Sequence, residues 1–310
     1  MTTYSDEWIV SRRGPRNPVD PKRPYHFIIE EERAASGEIV PVATIFLTNR
    51  ECPWHCLMCD LWKNTLTRSV SPGDIPAQID FALGQVGEAR QVKLYNSGSF
   101  FDAAAIPPGD YSDIAALLSE FERVIVECHP ALIGPRVLQF QQMLRGQLEL
   151  AMGLETIHPD VLARLNKRMT LEMFSAAAEF LQSHEIDLRA FVLLKPPFLD
   201  EDEALVWAQR SVEFGFDCHA TAISLIPVRP GNGALEALNF SPPSLQNLEC
   251  ALADGIRLGR GRVFADLWDL RLFSKCDACV EARRERLARM NLSQSIEPPL
   301  DCVACRGIST

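Results

Sequence analysis

No apolar stretch in this 310-residue chain approaches the roughly 18 residues needed to cross a bilayer, so the sequence offers no membrane span. An export signal is missing too. Met1-Thr2-Thr3-Tyr4-Ser5-Asp6-Glu7 is polar and acidic, without the charged and apolar regions of a secretory leader. A cytoplasmic location, with no membrane partner, is the expectation. Excess positive charge is also lacking: 31 Lys and Arg stand against 41 Asp and Glu, a formal net charge of -10. That balance argues against a broad nucleic-acid surface, which draws on clustered cations. Arg12, Arg13, Arg16, Lys22 and Arg23 do crowd the N-terminal segment, but Glu30, Glu31 and Glu32 follow at once. Residues 1–39 therefore read as a solvated, partly flexible arm.

What the chain does have is cysteine. Ten Cys without an export signal read as metal ligands and reduced thiols rather than disulfides. Cys52, Cys56 and Cys59 form a C-x3-C-x2-C triplet just after the apolar run Val42–Leu47. Three thiolates that close can coordinate three irons of a [4Fe–4S] cluster and leave the fourth without a protein ligand, free to hold a small molecule and pass it an electron. Zinc completed by His55 is the alternative, although zinc more often uses paired C-x2-C knuckles. Such knuckles close the chain: Cys276-x2-Cys279 and Cys302-x2-Cys305 make a four-thiolate site for zinc or a second, auxiliary cluster.

Short apolar runs at 41–48, 91–96, 123–128, 147–154, 187–194 and 219–226 read as strands, and helical patterns at 74–86, 110–120, 135–144, 170–183, 201–214 and 243–257 separate them. Strands apolar on both faces and joined by helices imply parallel βαβ units. Asn49, Asn96, Ser97, Glu127, His129, Glu155 and Lys195 all fall at or just beyond strand C-termini, the face on which parallel barrels build their sites. The expected fold is α/β: a partial (βα)6 TIM-type barrel over 40–260, with a Cys-rich, metal-binding C-terminal tail over 261–310.

The triplet after the first of these strands and the polar turn Tyr95-Asn96-Ser97-Gly98-Ser99 after the second resemble the radical S-adenosylmethionine (SAM) superfamily. The likeness lies in the branch of the elongator catalytic subunit, the oxygen-independent coproporphyrinogen oxidase and the methylthiotransferases, and covers roughly residues 40–230. Phe191–Phe198 and Ser97-Gly98-Ser99 look most like the archaeosine synthase radical subunit. The resemblance implies that SAM chelates the open iron and is cleaved reductively to a 5′-deoxyadenosyl radical. It implies that Asn96, Ser97 and Gly98 meet the SAM amino group, Glu127 and Glu155 the ribose, Lys167 the carboxylate, and Met58 the adenine. His129, where relatives carry Arg, and Lys195 are the candidates for catalytic contact with substrate.

The residue types suit those tasks without the family. Carboxylates accept from both ribose hydroxyls, Lys pairs with a carboxylate, and Gly98 lets backbone approach a ligand. The expected partners are a reductant such as a flavodoxin or ferredoxin, and a tRNA substrate or a partner subunit that binds it. The rival reading is a non-catalytic iron–sulfur electron carrier or a zinc-stabilised binding module. Arg229, Asp266 and Asp269 are weaker candidates for polar contact at the barrel mouth.

Overall fold

Eight strands run in sequence order around one curled sheet in a computed structural model that describes residues 3–306. They are β1 (His26–Arg33), β2 (Ile39–Phe46), β3 (Gln91–Tyr95), β4 (Arg123–Glu127), β5 (Gln147–Glu155), β6 (Asp187–Leu194), β7 (Ala222–Pro227) and β8 (Arg262–Ala265). β1 is antiparallel to β2, and every later pair is parallel. The helices are α1 (Asp6–Ser11), α2 (Asp74–Leu83), α3 (Tyr111–Leu117), α4 (Pro135–Met143), α5 (Pro159–Arg164), α6 (Leu171–Ser183), α7 (Glu201–Asp217), α8 (Ala234–Ala237), α9 (Leu245–Arg257), α10 (Val280–Ser293) and α11 (Val303–Arg306). This is the expected α/β partial barrel with a Cys-rich tail, enlarged by one strand at each edge. The six expected strands are β2 to β7. Val92, Leu94, Val124 and Val126 are fully buried, as strands covered by helices require. Thr170 caps α6 through Met173 N, and Ser244 caps α9 through Asn247 N.

The solvated-arm expectation fails over 26–33, which is β1. Glu31 faces solvent, but its two neighbours do not serve that way. Glu32 is buried and accepts from Arg189 of β6 at 2.6 Å and from Lys93 of β3 at 2.6 Å. Arg189 also reaches the fully buried Glu149 of β5 at 2.6 Å, which Arg123 of β4 meets at 3.1 Å and Arg262 of β8 at 3.5 Å. Six strands thus share one layer of opposed charges at the N-terminal end of the barrel. Burial works against ionised Glu32, but Arg189 and Lys93 outweigh it and hold its carboxyl far below the usual range.

The tail closes the open side. α10 packs on both edge strands, β1 and β8. Asn291 pairs with the backbone N–H and carbonyl of Ala265 (2.9 Å each), and Gln294 with those of Val263 (2.7 and 2.8 Å). Two side-chain amides therefore satisfy the free edge of β8 as a ninth strand would. Arg283 and Arg286 tie α10 to Glu249 of α9.

Candidate active site at the strand C-termini

β2 delivers the chain into the loop that carries Cys52, Cys56 and Cys59, and the loop is pinned from several sides. Asn232 Nδ2 donates to Leu57 O (2.8 Å), and Leu57 N donates to Leu165 O (2.8 Å). Asn166 Nδ2 donates to His55 O (2.8 Å) and to Asp6 of α1 (2.7 Å). Arg13 and Arg16 both pair with Glu51. The N-terminal cations thus strap the cysteine loop, a role the sequence did not reveal because Glu51 lies outside the triplet. Burial pushes each of the three thiols up to about 12. Thiols that reluctant to ionise become thiolates only when a cation is bound among them.

The turn after β3 lies directly against this loop. A Cβ on Gly98 would come within 3.1 Å of Cys52 Cβ, so the absence of a side chain there sets the approach. Glu127, at the end of β4, organises the same turn: its carboxylate accepts from the backbone N–H groups of Asn96 and, at 3.4 Å, Gly98. Burial raises Glu127 to about 7, against those hydrogen bonds. Both of these contacts are made by one carboxylate oxygen, Oε1. Asn96 is fully buried, and neither polar atom of its side chain has a partner in the protein. Ser97 Oγ lies 3.3 Å from Tyr25 Oη.

β5 ends in Glu155, which pairs with Lys167; both are buried. Gly153 makes room for the pair, since a Cβ there would fall 2.1 Å from Lys167 Nζ and 2.2 Å from Glu155 Oε1. Burial disfavours the Lys167 ammonium, but Glu155 outweighs it and keeps the pKa above its ordinary value. The Cys56 and Cys52 thiols add to that field. Ser97, Glu155, Asn166 and Arg168 all have positive φ, a concentration of uncommon backbone around one site.

His129 faces this ion pair's backbone. Its Nδ1 accepts from Ala131 N (3.1 Å), so Nε2 is the protonated nitrogen and donates to Lys167 O (3.0 Å). Its ring stacks on Trp54 at 3.8 Å, a partner that sequence reading missed and that only the fold brings near. Burial, then Lys167, lowers its pKa from 6.5 to about 4. The imidazole is neutral at pH 7 with both nitrogens engaged. Because the folded pKa is depressed, this stabilisation is complete above about pH 6.5 and is lost as pH falls through about 4. The denaturation midpoint should drop across that window, and His129→Asn should flatten the drop. A variant with the unaltered acid limb would exclude this role.

The remaining candidates have neighbours of their own. Lys195 Nζ is held at the rim by Glu201 (2.9 Å) and Ser241 (3.0 Å). Met58 packs in an apolar cluster with Leu193, Val228 and Leu235. Arg229 pairs with Asp266 at 2.8 Å and lies 3.9 Å from Asp269, so the three candidates form one charged group. In the tail, the sulfurs of Cys276, Cys279, Cys302 and Cys305 all lie within 4.8 Å of one another, and Cys276–Cys302 and Cys279–Cys305 are 3.9 and 3.5 Å apart. This cluster can coordinate a metal centre. Among the described residues no other group of three or more His, Cys, Asp or Glu is so compact, and the Cys52 loop is correspondingly wider.

No family model matches the chain. An uncharacterised protein of Methanocaldococcus jannaschii is 24% identical over 314 residues, covering 91% of this chain and 84% of that one. The archaeosine synthase subunit beta of Methanosarcina acetivorans is 29% identical over 231 residues, 69% of this chain and 66% of its own length, so the match spans just under two thirds of that relative. Among solved structures, the archaeal Elp3 of Methanocaldococcus infernus superposes with a TM-score of 0.51 at 13% identity, over 71% of this chain and 59% of that one. No helix among the described residues is long and apolar enough to cross a membrane.

Proposed function

Since the chain has a radical-SAM-superfamily fold, we propose that it is a radical SAM enzyme whose Cys52, Cys56 and Cys59 hold a [4Fe–4S] cluster. A cluster held by these three cysteines would supply one electron for reductive cleavage of bound SAM to methionine and a 5′-deoxyadenosyl radical. The observation that carries this reading is that a loop with three half-buried thiols lies against the turn of the orphaned Asn96 amide, with the Cys52 and Cys56 thiols in the field of the Lys167–Glu155 pair. An electron carrier has no use for those polar groups; an amino-acid ligand needs them.

In this reading Lys167 takes the SAM carboxylate, Asn96, Ser97 and Gly98 the amino group, Glu155 the ribose, and Met58 lies toward the adenine. Glu127 holds the turn of Asn96–Gly98 in place, which narrows its expected ribose contact to a positioning one. His129, neutral and doubly bonded, keeps the Lys167 backbone fixed. The substrate we favour is a nucleoside in tRNA, supported by the likeness to the Methanosarcina protein. A partner subunit would supply RNA binding to this acidic chain, and a cytoplasmic flavodoxin or ferredoxin would supply the electron.

For the tail we favour zinc. Four sulfurs around one tetrahedral zinc, with Zn–S near 2.3 Å, stand about 3.8 Å apart. Thiolates on four separate irons stand about 6 Å apart or more. The observed separations fit the former. Reconstituted protein should hold about four iron and about one zinc per chain. Cys276→Ser with Cys279→Ser should lose the zinc and keep the iron; loss of the iron alone would reverse the assignment. The enzyme reading is tested by anaerobic incubation with dithionite and SAM. We expect 5′-deoxyadenosine from the unaltered protein and none from the Cys52→Ala, Cys56→Ala, Cys59→Ala variant, whereas equal release from both would reject it.

A further inference from the structure

A cavity of about 350 Å³ lies outside the barrel mouth, walled by the end of α5, the turn after β6, the segment leading to α9, and Tyr4. None of the residues assigned above to cluster or SAM lines it. Two cations do, Arg164 and Lys195, and no acidic residue does. Lys195 is already balanced by Glu201. Arg164 is not: among the described residues it makes no ion pair or hydrogen bond, and its Nε is buried without an acceptor. Its guanidinium lies over the Phe198 ring at 3.2 Å. Stacked this way, Arg164 has its Nε covered and lines the open cavity with no acceptor of its own.

Aromatic rings share the other walls with the polar side chains of Asn239 and Ser241. Tyr4 and Phe198 lie parallel, with ring centroids 6.1 Å apart, and Phe240 adds a third ring. The wall is also conformationally unusual. Lys195, Phe198 and Asn239 have φ of 53°, 83° and 52°, and for a bulky aromatic that is a true outlier. Such backbone persists where the surroundings enforce it, and it gathers at ligand sites.

The geometry points to a second binding site here, for a nucleoside monophosphate group, with the phosphate on Arg164 and the base against the Tyr4, Phe198 and Phe240 rings. A phosphate makes the charge-assisted fork that Arg164 lacks, and the cavity has room for one such group and little more. The group can be a free nucleotide or the phosphorylated end of an RNA strand, and both present the same chemistry. The site stands independently of the radical reading, since its residues belong to neither the cluster nor the SAM contacts.

Calorimetric titration of the full-length protein with uridine monophosphate tests this. We expect saturable binding that weakens at least about tenfold in Arg164→Ala and less in Arg164→Lys. Uridine alone and inorganic phosphate alone should each bind at least about tenfold more weakly than the nucleotide. Unchanged circular dichroism and melting midpoint in Arg164→Ala would confirm an intact fold. A 5′-phosphorylated trinucleotide that binds more tightly than uridine monophosphate identifies the RNA end as the source, and weaker binding identifies the free nucleotide. Absent binding, or equal binding by the unaltered protein and a folded Arg164→Ala, would overturn the inference.

Discussion

Arg189→Met should cost about 3–5 kcal/mol of folding stability, among the largest losses any single substitution in this chain produces. Arg189 is 2% exposed and stands between Glu32 and Glu149, which belong to strands on opposite sides of the barrel. Met has similar volume but no charge, so both carboxylates would stay buried with less compensation. Glu32 would retain Lys93, and Glu149 would retain Arg123 and Arg262. The penalty is that of an unbalanced buried charge rather than of a cavity. Urea denaturation at pH 7 should show the midpoint falling steeply, and lowering the pH should narrow the gap as protonation of Glu32 and Glu149 relieves the imbalance. An unfolding free energy within about 0.5 kcal/mol of the unaltered protein would mean that the layer is dispensable.

The second large effect is on the site itself. Lys167→Met should weaken SAM binding by about a hundredfold or more, because the cofactor carboxylate loses its cation and Glu155 is left buried and unpaired. Iron content should stay at the unaltered level, since the cysteine loop is held by Asn166, Asn232 and Leu57 rather than by the Lys167 side chain. Equilibrium binding with reconstituted protein separates the two outcomes. Loss of iron together with SAM would make Lys167 a prop for the loop, and unchanged SAM affinity would remove it from the pocket.

Much of this was legible in the chain because the signals are local. The apolar runs of β2 to β7 and the helix start at Thr170 announce themselves within a few residues. The paired knuckles of the tail needed only spacing, and the structure gathers their four sulfurs as expected. What stayed hidden depends on partners far away in sequence. Glu30 and Glu32 read as solvated because nothing nearby neutralises them; their cations, Lys93 and Arg189, arrive only when the barrel curls. β8 has four residues and depends on Asn291 and Gln294 to complete its edge. Glu127 is the subtler case: its place at a strand end was legible, but its bonds to the backbone N–H groups of the neighbouring turn were not, because they exist only once β3 and β4 lie side by side. Lys195 likewise sits at a strand end, but its left-handed backbone turns it to Glu201 on the rim.

The most direct test of the central claim is the electron paramagnetic resonance spectrum of the dithionite-reduced protein, recorded anaerobically with and without SAM. If Cys52, Cys56 and Cys59 hold a cluster with one iron open to the cofactor, adding SAM will shift the signal, and the shift will be lost in Lys167→Met while the cluster remains. A reduced cluster whose spectrum is unchanged at saturating SAM would contradict the account and leave an electron carrier built on the same barrel.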